Sequence, residues 1–325
     1  MAGEMLVVLR FGEWAPMLRE QLLVHAKEHR LVVGQRAVEV ERDGHSRGGY
    51  CRRMPVSALA FALGAAGFHA TWNLLLARAP DIEAATAVAL IVAELFFLPV
   101  TVVVWHADAA VWPWLVGSGV LEIAYFALLA TAYRRAPLSV VYPVARGGAP
   151  VLVLLIGVVA LGHGTSWSQA VAVLLVVTGV LVVRGLRNTD PGAIAFGLAI
   201  ALCIAGYTLI DKQGVRHAGP IPYLELSMAG PALVYSGAVA RLKGAAALRA
   251  AIGPATMVAG LATFSAYALV LAALQRASAA SVAAVRETSV VVAVALAAVV
   301  LKERVGRARI AGAVLVVAGV ALLAR

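Results

Sequence analysis

Ten apolar stretches, each near the length of a membrane-spanning helix, constrain the fold of this 325-residue chain more than any other feature. A helix needs about 20 apolar residues to cross a hydrocarbon layer of ~30 Å. The runs, cut at clusters of charged residues, proline and glycine, are 56–76, 84–105, 111–133, 138–161, 168–183, 193–210, 222–240, 254–275, 279–301 and 309–324. The sequence therefore predicts an all-α, polytopic membrane protein with ten transmembrane helices.

The composition favours the same class, because 62% of the residues are hydrophobic and only 14% are charged. The net charge of +10 does not indicate nucleic-acid binding, since the lysines and arginines occur singly or in pairs between apolar runs, without interleaved aromatic residues. The two cysteines, Cys51 and Cys203, are far apart and form neither a disulfide framework nor a CxxC motif. We expect no metal and no cofactor.

Short connections such as ARAPDIE, HADAA, RRAP and LGHGTSW make consecutive helices antiparallel neighbours. The longest connection, RLKGAAALRAAIG, is too short to form a domain, so any chemistry takes place within the membrane or at its edge. The histidines at 69, 106, 163 and 217 lie in different segments without HExxH spacing, and no glycine-rich phosphate loop follows a strand. An enzyme and an ATP-driven transporter are therefore disfavoured.

Residues 1–53 differ in composition from the rest, with nine Lys/Arg and seven Asp/Glu. They lack the long apolar core and the cleavage site of a secretory signal. One interpretation is an N-terminal extension that forms an amphipathic helix or two short strands. The other is that translation starts at Met54 and that the preceding residues belong to an over-extended reading frame.

The chain also repeats itself. An offset of 140 residues places Arg146 on Arg286 and Gly179 on Gly319, and it places residues 175–177 on 315–317. Further offsets of 135 and 142 place Trp72 on Tyr207 and Tyr125 on Tyr267. The sequence thus predicts two five-helix repeats, 54–187 and 188–325. Because five is odd, the second repeat enters the membrane from the opposite side, which gives an inverted repeat.

Each half resembles the EamA-type unit of the drug/metabolite transporter superfamily. The resemblance rests on TAYRRAPLSVVYPVARGGAPV in the fourth run, ALQRASAASVAAVRETSVVVAV in the ninth and LKERVGRARIAGAVLVVAGVALL at the end. It implies a ten-helix permease of the cell inner membrane, with a central cavity lined by the first four helices of each half. The fifth and tenth helices would pack outside as supports or as contacts of a homodimer. Glu303 fits the pattern after the ninth helix, whereas His163 replaces the glutamate of the first half.

Arg146 and Arg286 lie ~12 Å and ~10 Å inside their helices by the helical rise. Charged side chains at such depth are costly and usually face a cavity or a partner. One interpretation is that both arginines snorkel to the headgroups. The functional interpretation is that both face the cavity, where they attract anionic groups or hold carboxylates.

Three glutamates, Glu94, Glu122 and Glu287, are candidate counter-charges or proton carriers. Adjacent helical positions point about 100° apart, so Arg286 and Glu287 do not face each other as a pair. We expect Arg146 to pair with Glu122 and Arg286 with Glu94, although the sequence does not fix this assignment. Static bridges between helices and proton carriage remain equal alternatives.

Aromatic and amide side chains complete the predicted substrate cavity. Trp72 and Tyr207 are equivalent in the two repeats, although Trp72 also suits an interfacial belt. Hydroxyl groups at membrane depth need a partner or a wet cavity. Besides the two arginines, the predicted cavity residues are Trp72, Asn73, Tyr142, Tyr207 and Tyr267.

The fourth run carries a candidate hinge. Proline removes a backbone donor, so the helix should bend or loosen near Arg146. Val290 stands opposite Pro150, and the partner helix lacks prolines, so the two halves should move unequally; the alternative is a merely kinked packing helix. The hinge residues are Pro143, Gly147, Gly148 and Pro150.

Loop charges and the resemblance disagree on orientation. The odd-numbered connections, together with Arg309 at the start of the tenth run, hold twelve Lys/Arg, against four in the even-numbered connections and the C-terminus, which places both termini outside. The resemblance implies cytoplasmic termini, and we keep that orientation.

The sequence predicts a secondary transporter that exports a small amphipathic metabolite, amino acid-like or otherwise carboxylate-bearing, by alternating access and coupled to protons. The alternatives are a membrane-embedded enzyme and a receptor or scaffold that transports nothing.

Overall fold

Helices account for nearly all of the chain that a computed structural model describes, namely residues 54–136, 138–162, 164–184, 191–292, 295 and 306–324. A single turn of 3₁₀-helix, Ala109–Val111, precedes α3, and these described ranges contain no β-strand. The helices are α1 Val56–Leu76, α2 Ile82–Val103, α3 Trp112–Arg135, α4 Leu138–Val159, α5 Trp167–Arg184, α6 Pro191–Gly214, α7 Pro220–Ala250, α8 Pro254–Leu274, α9 Ala279–Arg286 and α10 Arg307–Ala324.

Seven of these helices, α1 to α4, α6, α8 and α10, are long and apolar enough to cross a membrane. Large apolar side chains such as Val103, Val159 and Leu233 are exposed on the bundle surface, which suits contact with lipid. The described part of the chain is thus all-helical, and its long apolar helices are those of a multi-pass membrane protein, as the composition predicts.

The prediction for the seventh helix was wrong at its C-terminal end. We expected a loop after residue 240, whereas α7 continues through Lys243 and, after a break at Gly244, extends to Ala250. The φ of +81° at Gly244 is a left-handed conformation that glycine adopts readily. Alanine, leucine and arginine are strong helix formers, so the segment stays helical although it is too polar to continue an apolar run.

Backbone hydrogen bonds join helix ends that lie on the same side of the bundle. The amide of Gly219 donates to the carbonyl of His106 at 2.8 Å, and the amide of Met54 donates to the carbonyl of Leu323 at 3.4 Å. We call the end of the bundle where α1 begins the proximal face. It carries the α2–α3, α4–α5, α6–α7 and α8–α9 connections, and the opposite end is the distal face.

Helices α5 and α10 pack tightly through glycine. A Cβ added to Gly179 would lie 2.6 Å from the carbonyl oxygen of Gly312, and one added to Gly319 would lie 2.7 Å from that of Ala172. Gly312 contacts Gly179, whereas Gly319, farther along α10, contacts Ala172, which lies earlier in α5. The two helices therefore run antiparallel. Small residues at both crossings let the backbones touch.

Candidate functional site

The ninth helix is interrupted where its charged residues stand. Regular α-helix ends at Arg286, residues 287–288 form a turn, and helix resumes at Ser289. The amides of Glu287, Thr288 and Val290 each bond to the carbonyl three residues earlier, which is 3₁₀ geometry. The Thr288 hydroxyl also donates to the carbonyl of Val285 at 2.8 Å. Mid-helix 3₁₀ segments often mark a hinge.

This interruption places Glu287 against Arg146 of α4. The Nε atom of Arg146 lies 3.3 Å from Oε2 of Glu287, and its Nη2 donates to the Ser289 hydroxyl at 3.5 Å. Both side chains of the ion pair are buried, with exposures of 9% and 1%. The predicted pairing of Arg146 with Glu122 was therefore wrong, because helix periodicity does not reveal that α4 packs against α9.

Arg286 is equally buried, but its charge is not neutralised in the same way. Only 5% of the residue is exposed, and its Nε atom has no hydrogen-bond partner within the described part of the chain. No described carboxylate, including the expected partner Glu94, lies within ion-pair distance of it. Its charge acts at longer range on Asp211 and Tyr207. Neither arginine snorkels to the surface.

A carboxylate that sequence reasoning missed lies at the centre of the proximal half. Asp211 of α6 is fully buried and accepts hydrogen bonds from the hydroxyls of Tyr223 at 2.9 Å and of Tyr267. The apolar run in the sequence was cut at residue 210, directly before Asp211, which made this residue look like part of a loop. The sequence feature that could have revealed Asp211 is its position, an acidic residue directly after a membrane-length apolar run.

A central cavity with about 750 Å³ of empty space lies between the halves. It is lined by α1, α2 and α3 of the first half and by α6, α7 and α8 of the second. Its lining includes Trp72, Glu122, Tyr125, Phe126, Tyr207 and Tyr267.

The rings of Tyr125, Tyr207 and Tyr267 follow one another along the cavity wall, with centroids 6.3 Å and 6.0 Å apart. Of the cavity residues that we predicted, the structure places Trp72, Tyr207 and Tyr267 in the wall.

The remaining predicted cavity residues lie behind this wall. The hydroxyl of Tyr142 donates to Oδ1 of Asn73 at 3.4 Å, and the Asn73 amide donates to the carbonyl of His69 at 2.8 Å. The indole of Trp72 donates to Nδ1 of His69 at 3.1 Å. Arg146 and Arg286 are buried near the cavity without lining it.

Three glutamates occupy the membrane-spanning helices around the cavity. Glu122 lines it, is 2% exposed, and its Oε2 atom has no hydrogen-bond partner among the described residues. Glu94 lies close enough to act electrostatically on Glu122, and Glu225, which sequence reasoning missed, acts on Glu94. Across the described ranges, no set of three His, Cys, Asp or Glu side chains is arranged to hold a metal ion.

The glycine pair of the predicted hinge packs α4 against its neighbours. A Cβ on Gly147 would lie 3.3 Å from the Leu181 side chain, and one on Gly148 would lie 3.2 Å from Ala201. Residues 138–159 form one continuous helix, which includes Pro150. The side chain of Pro143, like residues His163 and Glu303, lies outside the described part of the chain.

The proximal face is closed by several contacts between connections. The ammonium of Lys212 donates to the carbonyls of Leu274 and Ala277, which joins α6 to the end of α8. Asp108 and His217 approach to 3.3 Å between the α2–α3 and α6–α7 connections. Toward the distal face, by contrast, the central cavity reaches Leu76 near the end of α1 and Thr86 near the start of α2.

Comparison with known proteins finds a family match in the second half of the chain. The family model for EamA-like transporters matches residues 191–325. This match agrees with the resemblance that the sequence shows in its second half.

A solved structure described as "Crystal structure of protein" covers 82% of this chain and 96% of its own, with a TM-score of 0.67 and 16% sequence identity. At that identity the likeness shows the fold alone, and it extends beyond the residues that the family model matches. No curated protein matches the sequence.

Proposed function

We propose that this protein is a secondary transporter that exports a small, amphipathic, carboxylate-bearing metabolite by alternating access. The observation that carries the proposal is the central cavity, because helices of both halves contribute to its wall. A ligand held there contacts both halves at once, so relative rocking of the halves moves its access from one face to the other. The bilayer and a small-molecule substrate are the partners that this function requires.

The packing of equivalent helices supports two inverted repeats, residues 54–187 and 188–325. The contact of Gly179 with Gly312 maps, through the offset of 140 residues, onto the contact of Gly319 with Ala172. Helices α5 and α10 are equivalent under this offset and yet antiparallel, which is what an axis in the membrane plane produces. The packing of α1 on α8 likewise maps onto that of α6 on α3.

The charge distribution favours an anionic group on the substrate. Glu287 neutralises Arg146, whereas Arg286 is a buried cation without an ion pair among the described residues. Because the charge of Arg286 reaches Tyr207 of the cavity wall, it would favour a substrate carboxylate in the cavity over a cation. Glu122, buried in the cavity wall, is positioned to exchange a proton with the cavity and to couple export to the proton gradient.

The contacts at the two faces support a state that is open distally. With the termini in the cytoplasm, the proximal face is cytoplasmic, and the cavity faces the side to which an exporter releases its substrate. The reverse orientation, which the loop charges favour, would make the same state one that faces the cytoplasm. A reporter fused after Arg325 distinguishes the two orientations.

Flux measurements in proteoliposomes test the proposal. We expect counterflow of at least one amino acid or other carboxylate from a metabolite panel, and stimulation by a proton gradient. Arg286→Ala should lower transport of carboxylates at least tenfold, whereas Arg249→Ala, an exposed arginine at the end of α7, should not. The proposal fails if no compound is transported, and the role of Arg286 fails if both variants transport equally.

A further inference from the structure

A second cavity adjoins the central one in the gap between α3 and α7. It has about 770 Å³ of empty space, and its lining includes Ile123, Phe126, Ala130, Tyr235, Ala238 and Lys243. We call it the lateral groove. Its walls are two helices of the bundle with strongly exposed apolar side chains beside it, including Leu233 at 67% and Leu242 at 75%. The lateral groove therefore opens toward lipid.

The two helices converge toward the proximal face and diverge toward the distal face. At Gly119 they are in close contact, since a Cβ there would lie 3.4 Å from the carbonyl oxygen of Ser227. The lateral groove begins at Pro231, one turn farther along α7. Proline lacks a backbone donor and disturbs the helix, so it is a natural point for α7 to diverge from α3.

Phe126 lines both the central cavity and the lateral groove. Its ring packs on Tyr125 of the cavity and on Tyr235 of the groove, with both pairs of centroids 5.1 Å apart. The Phe126 ring thus belongs to the walls of both cavities. A side chain can change rotamer without any movement of the helices that carry it.

The distal mouth of the lateral groove is polar. Lys243 lies 2.7 Å from Asp81 and 2.7 Å from Glu83, and both Lys243 and Glu83 line the groove. An apolar channel with a charged rim at headgroup depth suits a molecule that has an apolar body and a polar group. The substrate class proposed above has this character, and the groove shares Phe126 with the central cavity.

We propose that the lateral groove is a portal through which an amphipathic substrate passes between the bilayer and the central cavity, with the Phe126 ring as its gate. The identity of the substrate rests on the proposed transport function, whereas the portal itself is testable without transport. A phospholipid acyl chain is the competing occupant.

Photolabelling of the full chain in nanodiscs of phosphatidylcholine and phosphatidylglycerol tests the portal. The probe is 3-trifluoromethyl-3-phenyldiazirine, an apolar carbene precursor that dissolves in the bilayer, and labelled residues are read by mass spectrometry. Trp72 and Tyr207 line the central cavity but not the lateral groove. Their labelling should rise about fivefold over wild type in Phe126→Ala. Phe96→Ala, which removes an exposed ring from α2, is the matched control and should leave this labelling unchanged.

Adding Ala238→Trp to Phe126→Ala should return labelling to the wild-type level, because the indole fills the groove. The portal is refuted if Phe126→Ala leaves labelling unchanged, or if the increase survives Ala238→Trp. It is also refuted if a phospholipid with a diazirine on its acyl chain labels the groove of the wild type and excess substrate does not reduce this labelling, because the groove is then a lipid site.

Flux measurements then test whether the substrate uses the portal. In the series alanine, leucine and phenylalanine, Ala238→Trp alone should slow phenylalanine flux about tenfold and leave alanine flux unchanged. Equal effects on all three compounds contradict the portal. Absence of flux in wild type counts against the transport function, and the labelling result stands independently.

Discussion

The buried pair of Arg146 and Glu287 allows a quantitative test of the α4–α9 contact. At 3.3 Å and an effective dielectric constant of ~20, two unit charges attract by about 5 kcal/mol. Removal of one partner from a buried pair typically costs about 3–5 kcal/mol, because the other charge remains uncompensated. We therefore expect Glu287→Leu to lower the free energy of unfolding by about 3–5 kcal/mol, with a similar loss in Arg146→Met.

The double variant provides the sharper expectation. Replacement of both partners by apolar residues, in Arg146→Met with Glu287→Leu, leaves no buried charge. It should therefore be more stable than either single variant, with a coupling energy above about 2 kcal/mol in the double-mutant cycle. The assay is reversible unfolding in mixed micelles, followed by circular dichroism. Arg249→Met, at an exposed site, is the control and should change stability by less than about 0.5 kcal/mol.

The pairing is refuted if the two single losses simply add. Additivity would mean that Arg146 and Glu287 are each stabilised by other groups, and α9 would then need another reason for its interruption at Glu287.

Two further perturbations test the distal rim and the α5–α10 contact. A hydrogen bond from Lys243 holds the pKa of Asp81 below its ordinary value, so the charge of Asp81 stabilises the fold above its unfolded pKa and loses this effect as pH falls below about 4. The stability advantage of wild type over Asp81→Asn should therefore be under about 1 kcal/mol at pH 7, since the side chain is 35% exposed, and should shrink in thermal melts as pH falls below about 4. Gly179→Ala should cost about 1–3 kcal/mol, because its new methyl group meets backbone, whereas Gly67→Ala has open space and should be neutral or stabilising in the same melts.

The helices were predictable because a hydrocarbon layer fixes both the length and the polarity of each span. The first five helices begin and end within two residues of the apolar runs. The seventh was misjudged because polar residues stop an apolar run without stopping a helix. The order of short connections also predicted which ends of the helices share a face.

Side-chain pairing was not predictable in the same way. Periodicity assigns Arg146 and Glu287 to faces of their own helices, but it does not show which helices meet. The prolines of α4 drew attention to a hinge there, while the observed interruption lies in α9 at the polar run RETS. Asp211 was missed because its two tyrosine partners, Tyr223 and Tyr267, come from other helices.

The interruption in α9 contains no proline, so every amide around Glu287 keeps its hydrogen and the segment can rewind. A residue that passes from 3₁₀ to α geometry turns the downstream part of the helix by about 20° and shortens the helix by ~0.5 Å, from the two helical repeats. Rewinding of three residues would swing the side chains beyond Thr288 by about 60°. The ion pair between Arg146 and Glu287 would then hold α9 at one winding. A small change of helical pitch would break this pair and give both side chains different neighbours.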